Sequence, residues 1–383
     1  MLAVRRLGRM TLTLEELEQD PHAALARIRP VAWVEALGGW VVAGRELAMQ
    51  VMRDPATFTV DDPRFSTAQV VGPSMLSLDD SAHAQHREPF EHPFGLAQTR
   101  ARFNAFVEAE TDRLVSALDG GSADIRRTVA GPLSVAVVAY SLGLPSTEAA
   151  RVLKWYGAIS ASVSGISAGR PVTAEGAAAF AKLHAHVASG INQGDSLIRE
   201  ASRAGLGTDE VVANAAVLMF GGIETTEGMI TNALLHLLTN RDQLDLVLAD
   251  LDLLPNAIEE SLRLEPAAAD VDRYATRDVS LAGAEISRGD LVTVSLAGAN
   301  RDPAVFPDPD RYDVRRSNAR RHLAFASGPH ICLGMHLARL EAVTALTALL
   351  TRLPDLRLDP AGSHPPRGLV FRKPSALHVL WTS

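Results

Sequence analysis

Phe325-Ala326-Ser327-Gly328-Pro329-His330-Ile331-Cys332-Leu333-Gly334 is the stretch on which the reading of this chain turns. Its Gly and Pro content makes it a loop, and the segment after Gly334 is helical, with Leu337, Leu340, Val343 and Leu346 on one stripe. Cys332 thereby enters a helix N-terminus, where free N–H groups and the macrodipole stabilise a thiolate and His330 can add positive charge. A lone cysteine is as a rule an inert buried filler. Gly328 and Gly334 argue otherwise, because they let backbone approach a sulfur that is itself bonded to something large.

Outward from this loop, the composition narrows the classes. Cys332 is the single cysteine of 383 residues, which excludes intramolecular disulfides, cysteine-held iron–sulfur clusters and multi-cysteine zinc sites. The net charge of −8 leaves no overall basic field for nucleic acid or an anionic membrane. No long apolar span occurs, and Glu15 and Glu16 interrupt the start before a signal-peptide core forms, so a cytoplasmic protein is expected. The length is large for one core, yet no Pro/Gly/Ser-rich linker divides it, and a single domain over 1–383 is expected. Within it stand a β-containing sub-region at about 30–45, a helical core at about 80–265 and the cysteine loop at 325–334.

The pattern is mainly α with small peripheral β-sheets. Val31–Val34, Gly38-Gly39 and Trp40–Val42 read as a hairpin. Helical spacing fills 82–118, 131–142, 146–163, 174–202, 209–239 and 243–264, and strand-like runs return at 291–296, 369–371 and 377–380. The longest helix, capped by Thr208 and running to about Asn240, is apolar on nearly every side and so is buried all round. Inside it sits Gly221-Gly222-Ile223-Glu224-Thr225-Thr226. Mid-helix glycines cost ~1 kcal/mol each and buried polar groups more unless paired. Two readings stand: a helix-packing notch, or a place where a bulky flat ligand passes close to the backbone.

Phe325-x-x-Gly328-x-His330-x-Cys332-x-Gly334 resembles the haem-binding signature of the cytochrome P-450 family, the haem-thiolate monooxygenases. Glu260-Ser261-Leu262-Arg263 is similar to the family's Glu-x-x-Arg motif, and Pro309-Asp310-Arg311-Tyr312 to the segment whose arginine completes that ion cluster. The Gly221–Thr226 stretch resembles the oxygen-binding groove, and His83-x-x-x-Arg87 the propionate-binding helix. The likeness runs from about Ser77 to Trp381. Ala326 departs from the glycine usual in bacterial relatives, at an expected small cost.

The resemblance implies the cytochrome P-450 fold, haem b with Cys332 as iron ligand, and a haem contact surface of Phe325, Gly328, His330, Gly334, Gly221 and Gly222. Buried propionates need cations, and by resemblance these are Arg87, Arg273 and His330, with His83 as a fourth donor. Glu260, Arg263 and Arg311 would form a structural ion cluster. Thr225 can bond back to the Gly221 carbonyl and loosen the helix, and Glu224 is the proton relay beside it. Val217, Phe220, Ala269, Val271, Val370 and Phe371, with the segments 64–75 and 163–170, would line a pocket for a medium-sized apolar or amphipathic molecule. No nicotinamide or flavin fingerprint is present, so electrons are expected from a ferredoxin and its reductase, docked at Arg100, Arg102, Arg320, Arg321 and Arg339 unless these are merely solvated. Two other classes compete: an acyl-transfer enzyme with Cys332 as nucleophile and His330 as base, and a non-enzymatic haem sensor.

Overall fold

The computed structural model describes residues 9–144, 149–167, 169–190, 196–353 and 355–382. The start at 1–6, the first residues of the helix expected from 146, residue 168, and residues 191–195 of the helix expected over 174–202 lie outside the described residues. The chain is mainly helical, with small sheets at the periphery. Among the described residues no helix is long and apolar enough to cross a membrane.

Several expected helices are divided where the sequence supplies a break. The 82–118 pattern is two helices, Asp80–Glu91 and Leu96–Ser116, because Pro89 lies in the last turn of the first and extended Gly95 caps the second. The 243–264 pattern splits likewise into Arg241–Ala249 and Leu254–Leu264, with Pro255 in the first turn of the latter. Val31–Val34 and Gly39–Val42 pair antiparallel with Trp33 opposite Trp40, and a short 3₁₀ turn closes on left-handed Gly38. They join Leu291–Ser295 and Asp270–Ala275 in the largest sheet. The expected strand 369–371 is not one. Phe371 makes a single bridge to Ala268, and the strands on either side, Pro366–Arg367 and Lys373–Pro374, pair with each other.

The central helix carries the architecture. Its cap is Gly207, not Thr208: the Glu210 carboxylate accepts from the Gly207 N–H at 2.7 Å, which places Thr208 inside the first turn. Thr208–Met219 and Thr225–Thr239 are α-helical, and Phe220–Glu224 between them is a π turn. The cause is local. Thr225 Oγ1 donates to the carbonyl of Gly221, and two adjacent glycines let the ladder widen there. Gly222 also admits the helix Gly131–Ser141, since a Cβ on it would come 2.3 Å from Val138 Cγ2.

Glu260 and Arg263 are fully buried and paired through two hydrogen bonds, at 2.7 and 2.8 Å. The third member is Arg316, whose Nε donates to Glu260 at 2.8 Å; it is not Arg311. Arg311 is exposed and offers only its carbonyl, to Arg263 and Arg316, because the loop that begins at left-handed Asp308 turns its backbone inward. Arg316→Ala is therefore expected to cost about 2 kcal/mol or more in urea unfolding, while Arg311→Ala stays within about 0.5 kcal/mol. Equal losses in the two variants would contradict the assignment.

Candidate active site

The cysteine loop is held by its own backbone. The Cys332 N–H donates to the Phe325 carbonyl at 2.9 Å, and Ile331 N–H to Gly328 at 3.1 Å. Gly328 has φ 79°, and a Cβ there would meet the Met52 carbonyl at 2.4 Å, so this glycine serves the turn and is absent from the cavity wall. Ala326 also adopts a left-handed φ, 60°. That corrects the expected small cost, because a Cβ in this region costs about 1–2 kcal/mol.

Cys332 borders a cavity bounded on its own side by Phe325, Leu333, Gly334 and Leu337, and on the other by Gly221, Gly222, Thr225 and Thr226 of the central helix. Gly221 and Gly334 have open space where a Cβ would stand, which leaves bare backbone on both faces. The helix after the loop begins only at Met335. Burial pushes the Cys332 thiol up, against the opposing effects of the Gly334 N–H and the charges of Arg87 and Arg339.

The expected cations differ in what they already hold. His330 lines the cavity with its Nε2 engaged by Asp79 at 2.8 Å, which ties up that one ring nitrogen. Burial alone would raise Asp79, but hydrogen bonds from His330, Thr59 and the Val60 N–H bring its carboxyl down to about 2. Arg87 lines the cavity with Nε on Glu91 and Nη2 on the Ile331 carbonyl, both at 2.9 Å, so it ties its helix to the loop. His83 is buried against the His330 ring, its Nε2 has no partner among the described residues, and burial with the charges of His330 and Arg87 lowers it to about 4. Arg273 is 4% exposed. Its one hydrogen bond among the described residues is to the Asp272 carbonyl, and burial lowers it to about 10. His83 and Arg273 stand outside the cavity lining, His83 against the ring of His330, which does line it; a buried imidazole nitrogen and a buried guanidinium, neither hydrogen-bonded to a carboxylate among the described residues, suit the carboxylates of a flat prosthetic group in the slot between Cys332 and Gly221.

Thr225 faces the cavity, whereas Glu224 does not: its carboxylate lies on the other side of the helix and pairs with Lys373 at 2.5 Å. Val217 and Val271 line the cavity. Phe220, Ala269, Val370 and Phe371 are outside its wall. Phe220 turns to Tyr156 in an edge contact with ring centroids 5.5 Å apart, Ala269 packs in the separate cluster of Leu17 and Leu25, and Val370 binds back to Ala269 through its carbonyl. Of the expected docking arginines, Arg102 is spent on Glu200 and Arg339 on Glu259, at 2.7 and 2.6 Å, while Arg100, Arg320 and Arg321 are exposed.

Residues that sequence reasoning passed over complete the site. Glu341 is buried at the edge of the cavity with Oε2 unpartnered among the described residues, and burial drives its carboxyl far up. An acid within the apolar stripe after Gly334 was the available signal. Asp79, Glu227 and Lys373 gave none, because each finds its partner only across the fold. The acyl-transfer reading fails on geometry, since among the described residues His330 is bonded to Asp79 and makes no hydrogen bond to Cys332.

Solved structures share the whole architecture. That of CYP109E1 from Bacillus megaterium in complex with testosterone superposes with a TM-score of 0.87, 25% identity, and coverage of 97% of this chain and 100% of that one. The fold is thus the cytochrome P-450 fold. The family profile described as Cytochrome P450 matches residues 192–367. The monooxygenase PikC of Streptomyces venezuelae is 33% identical over 90% of this chain and 86% of its own. The 20-oxo-5-O-mycaminosyltylactone 23-monooxygenase of Streptomyces fradiae is 32% identical over 88% and 83%. The chain belongs to the cytochrome P-450 family and is an oxidoreductase of the monooxygenase type.

Proposed function

We propose that this protein works as one domain in the cytoplasm, holds haem b through Cys332, and oxidises a medium-sized apolar or amphipathic molecule, by hydroxylation, with dioxygen and electrons from a ferredoxin and its reductase. The observation that carries this is the shared cavity: Cys332 on one wall, and on the other a helix opened at Gly221 with the Thr225 hydroxyl beside the opening. Haem, when bound, supplies one-electron and dioxygen chemistry, which a cysteine thiolate ligand steers towards O–O cleavage.

The chain's own residues do the rest. His83 and Arg273 hold the carboxylates of the group. Gly221 and Gly334 leave bare backbone at one point on each face of the slot. Met75, Val217, Leu218 and Val271 give a wall that excludes water and favours an apolar substrate. The Thr225 hydroxyl holds a proton at Oγ1 on the cavity side of the π turn. Among similar proteins, one is named a 20-oxo-5-O-mycaminosyltylactone 23-monooxygenase and a solved neighbour is in complex with testosterone, which supports an apolar or amphipathic small molecule as substrate. Exposed Arg100, Arg320 and Arg321 are the basic positions left for an acidic electron donor.

Isotopically labelled dioxygen tests the reading. With reductant, a ferredoxin pair and a substrate found by haem spin-state shift, one labelled atom per product molecule is expected. Product formed without label, or reductant use that substrate does not stimulate, would overturn it.

A further inference from the structure

Asn214 is a fully buried amide on the central helix, with apolar Val212, Ala213, Ala215 and Ala216 on either side of it in the chain. Burying an amide is destabilising unless its donor and acceptor are both met, so the partners of Asn214 show what it is for. Its Oδ1 accepts from the Met75 N–H at 2.9 Å, and its Nδ2 lies 3.1 Å from His86 Nδ1. A backbone N–H can only donate, which turns Oδ1 towards Met75 and makes Nδ2 the donor to His86. His86 Nδ1 is then an acceptor, and in the neutral ring the proton sits on Nε2, facing Glu210 Oε1 at 3.4 Å. The other oxygen of Glu210 takes the Gly207 N–H at the helix cap. A chain of contacts thus runs from the start of the central helix, through the helix Asp80–Glu91, to Met75.

This chain ties together two stretches of the wall of the cysteine cavity. Met75 and Leu76 line it from the segment after the helix Ser66–Val71. Val217 and Leu218, three and four residues on from Asn214 and so its neighbours on the helix surface, line it too. Met75 belongs to a turn closed on itself, in which the Ser77 N–H donates to the Ser74 carbonyl at 3.0 Å and the Ser74 N–H to Ser77 Oγ at 3.1 Å. Among the described residues, the bond to Asn214 is the one hydrogen bond from Met75 or Leu76 to another element. Leu76 also packs against the cluster of Val60, Phe65 and Tyr274. Apolar packing has no direction and lets a turn slide, whereas a hydrogen bond fixes its register.

We propose that Asn214 is a positioning residue for substrate specificity: it fixes the Met75–Leu76 turn relative to the Val217–Leu218 stretch, and so sets the breadth of molecule that the cavity accepts. His86 keeps the amide the right way round. Without an acceptor at His86 Nδ1, the amide is free to turn its Nδ2 to the Met75 N–H, donor against donor, and the bond is lost. The proposal rests on the monooxygenase reading above and names what sets substrate size at the same cavity.

The test has two readouts. In protein carrying heavy-nitrogen methionine, the Met75 amide, assigned by its loss in Met75→Leu, is followed for hydrogen exchange. In the haem-loaded protein, dissociation constants for N-benzylimidazole and the broader N-tritylimidazole are measured by the shift of the Soret band. In Asn214→Leu, exchange at Met75 is expected to speed up by about tenfold, the weight of one buried hydrogen bond, and affinity for the broad azole relative to the narrow one to rise by about three- to tenfold. Asn214→Asp keeps an oxygen for the Met75 N–H and should stay within about twofold of the parent on both readouts. His86→Leu should fall between the two, and it carries the test should Asn214→Leu not fold. Unmoved exchange or an unmoved azole ratio in the variant that loses the bond, or equal shifts in Asn214→Asp and Asn214→Leu, would overturn the proposal. Failure of the monooxygenase reading would show separately, as a parent whose Soret band neither azole moves, and the exchange rates would still decide whether Asn214 fixes Met75.

Discussion

Thr225→Ala is expected to bind haem, substrate and dioxygen as the parent does and to lose product formation by about 10²–10⁴-fold, the usual contribution of a positioned proton donor. Reductant should still be consumed, with hydrogen peroxide as the main outcome. The reason lies in the central helix: Thr225 is the hydroxyl that bonds the Gly221 carbonyl at the opened turn while lining the cavity. Alanine removes the proton held at Oγ1 and the bond that diverts the Gly221 carbonyl from its helical partner. Thr225→Ser keeps the hydroxyl and should recover part of the coupling. Product per reductant, with peroxide assayed in parallel, is the measurement, and equal coupling in Thr225→Ala and the parent would assign proton delivery to another route.

Arg273→Met should act in opposite directions on the empty and the loaded protein. Without a prosthetic group, Arg273 is a buried cation whose one hydrogen bond among the described residues is to a backbone carbonyl, and burial already weakens its hold on its proton. Replacing it by an apolar side chain of similar length should leave the apoprotein as stable or more so in urea unfolding. With the group in place, the same change strands a buried carboxylate, at a cost of about 3–5 kcal/mol. Haem transfer to apomyoglobin should then be about 10²–10³-fold faster. A variant that loses stability empty and retains haem as firmly as the parent would show that Arg273 is structural.

The fold was legible because its signals are local: the all-round apolar helix, the Gly/Pro loop around Cys332 and the Glu260-to-Arg263 spacing each fit within a few turns of chain. The π turn was half legible. Gly221-Gly222 and Thr225 mark a weak point, but a helical period cannot say that the ladder widens there. Arg316 was missed in favour of Arg311 because both are arginines on one loop, and the trace after Asp308 decides which side chain turns inward. Lys373 was invisible for a different reason. Its partner is 149 residues away, on a helix whose sequence by itself gives Glu224 no cation. The pocket residues fared worst, since four of six lie behind the wall; side-chain direction at Phe220 and the path of the 366–374 segment are set by tertiary packing.

The most direct measurement is the reduced-CO difference spectrum of the haem-reconstituted protein beside its Cys332→Ala variant. The parent should give the thiolate-type Soret band, and Cys332→Ala should lack it while keeping the far-UV circular dichroism of the parent. A parent without the band, or a variant that retains it, would contradict Cys332 as the iron ligand and with it the monooxygenase mechanism built on this cavity.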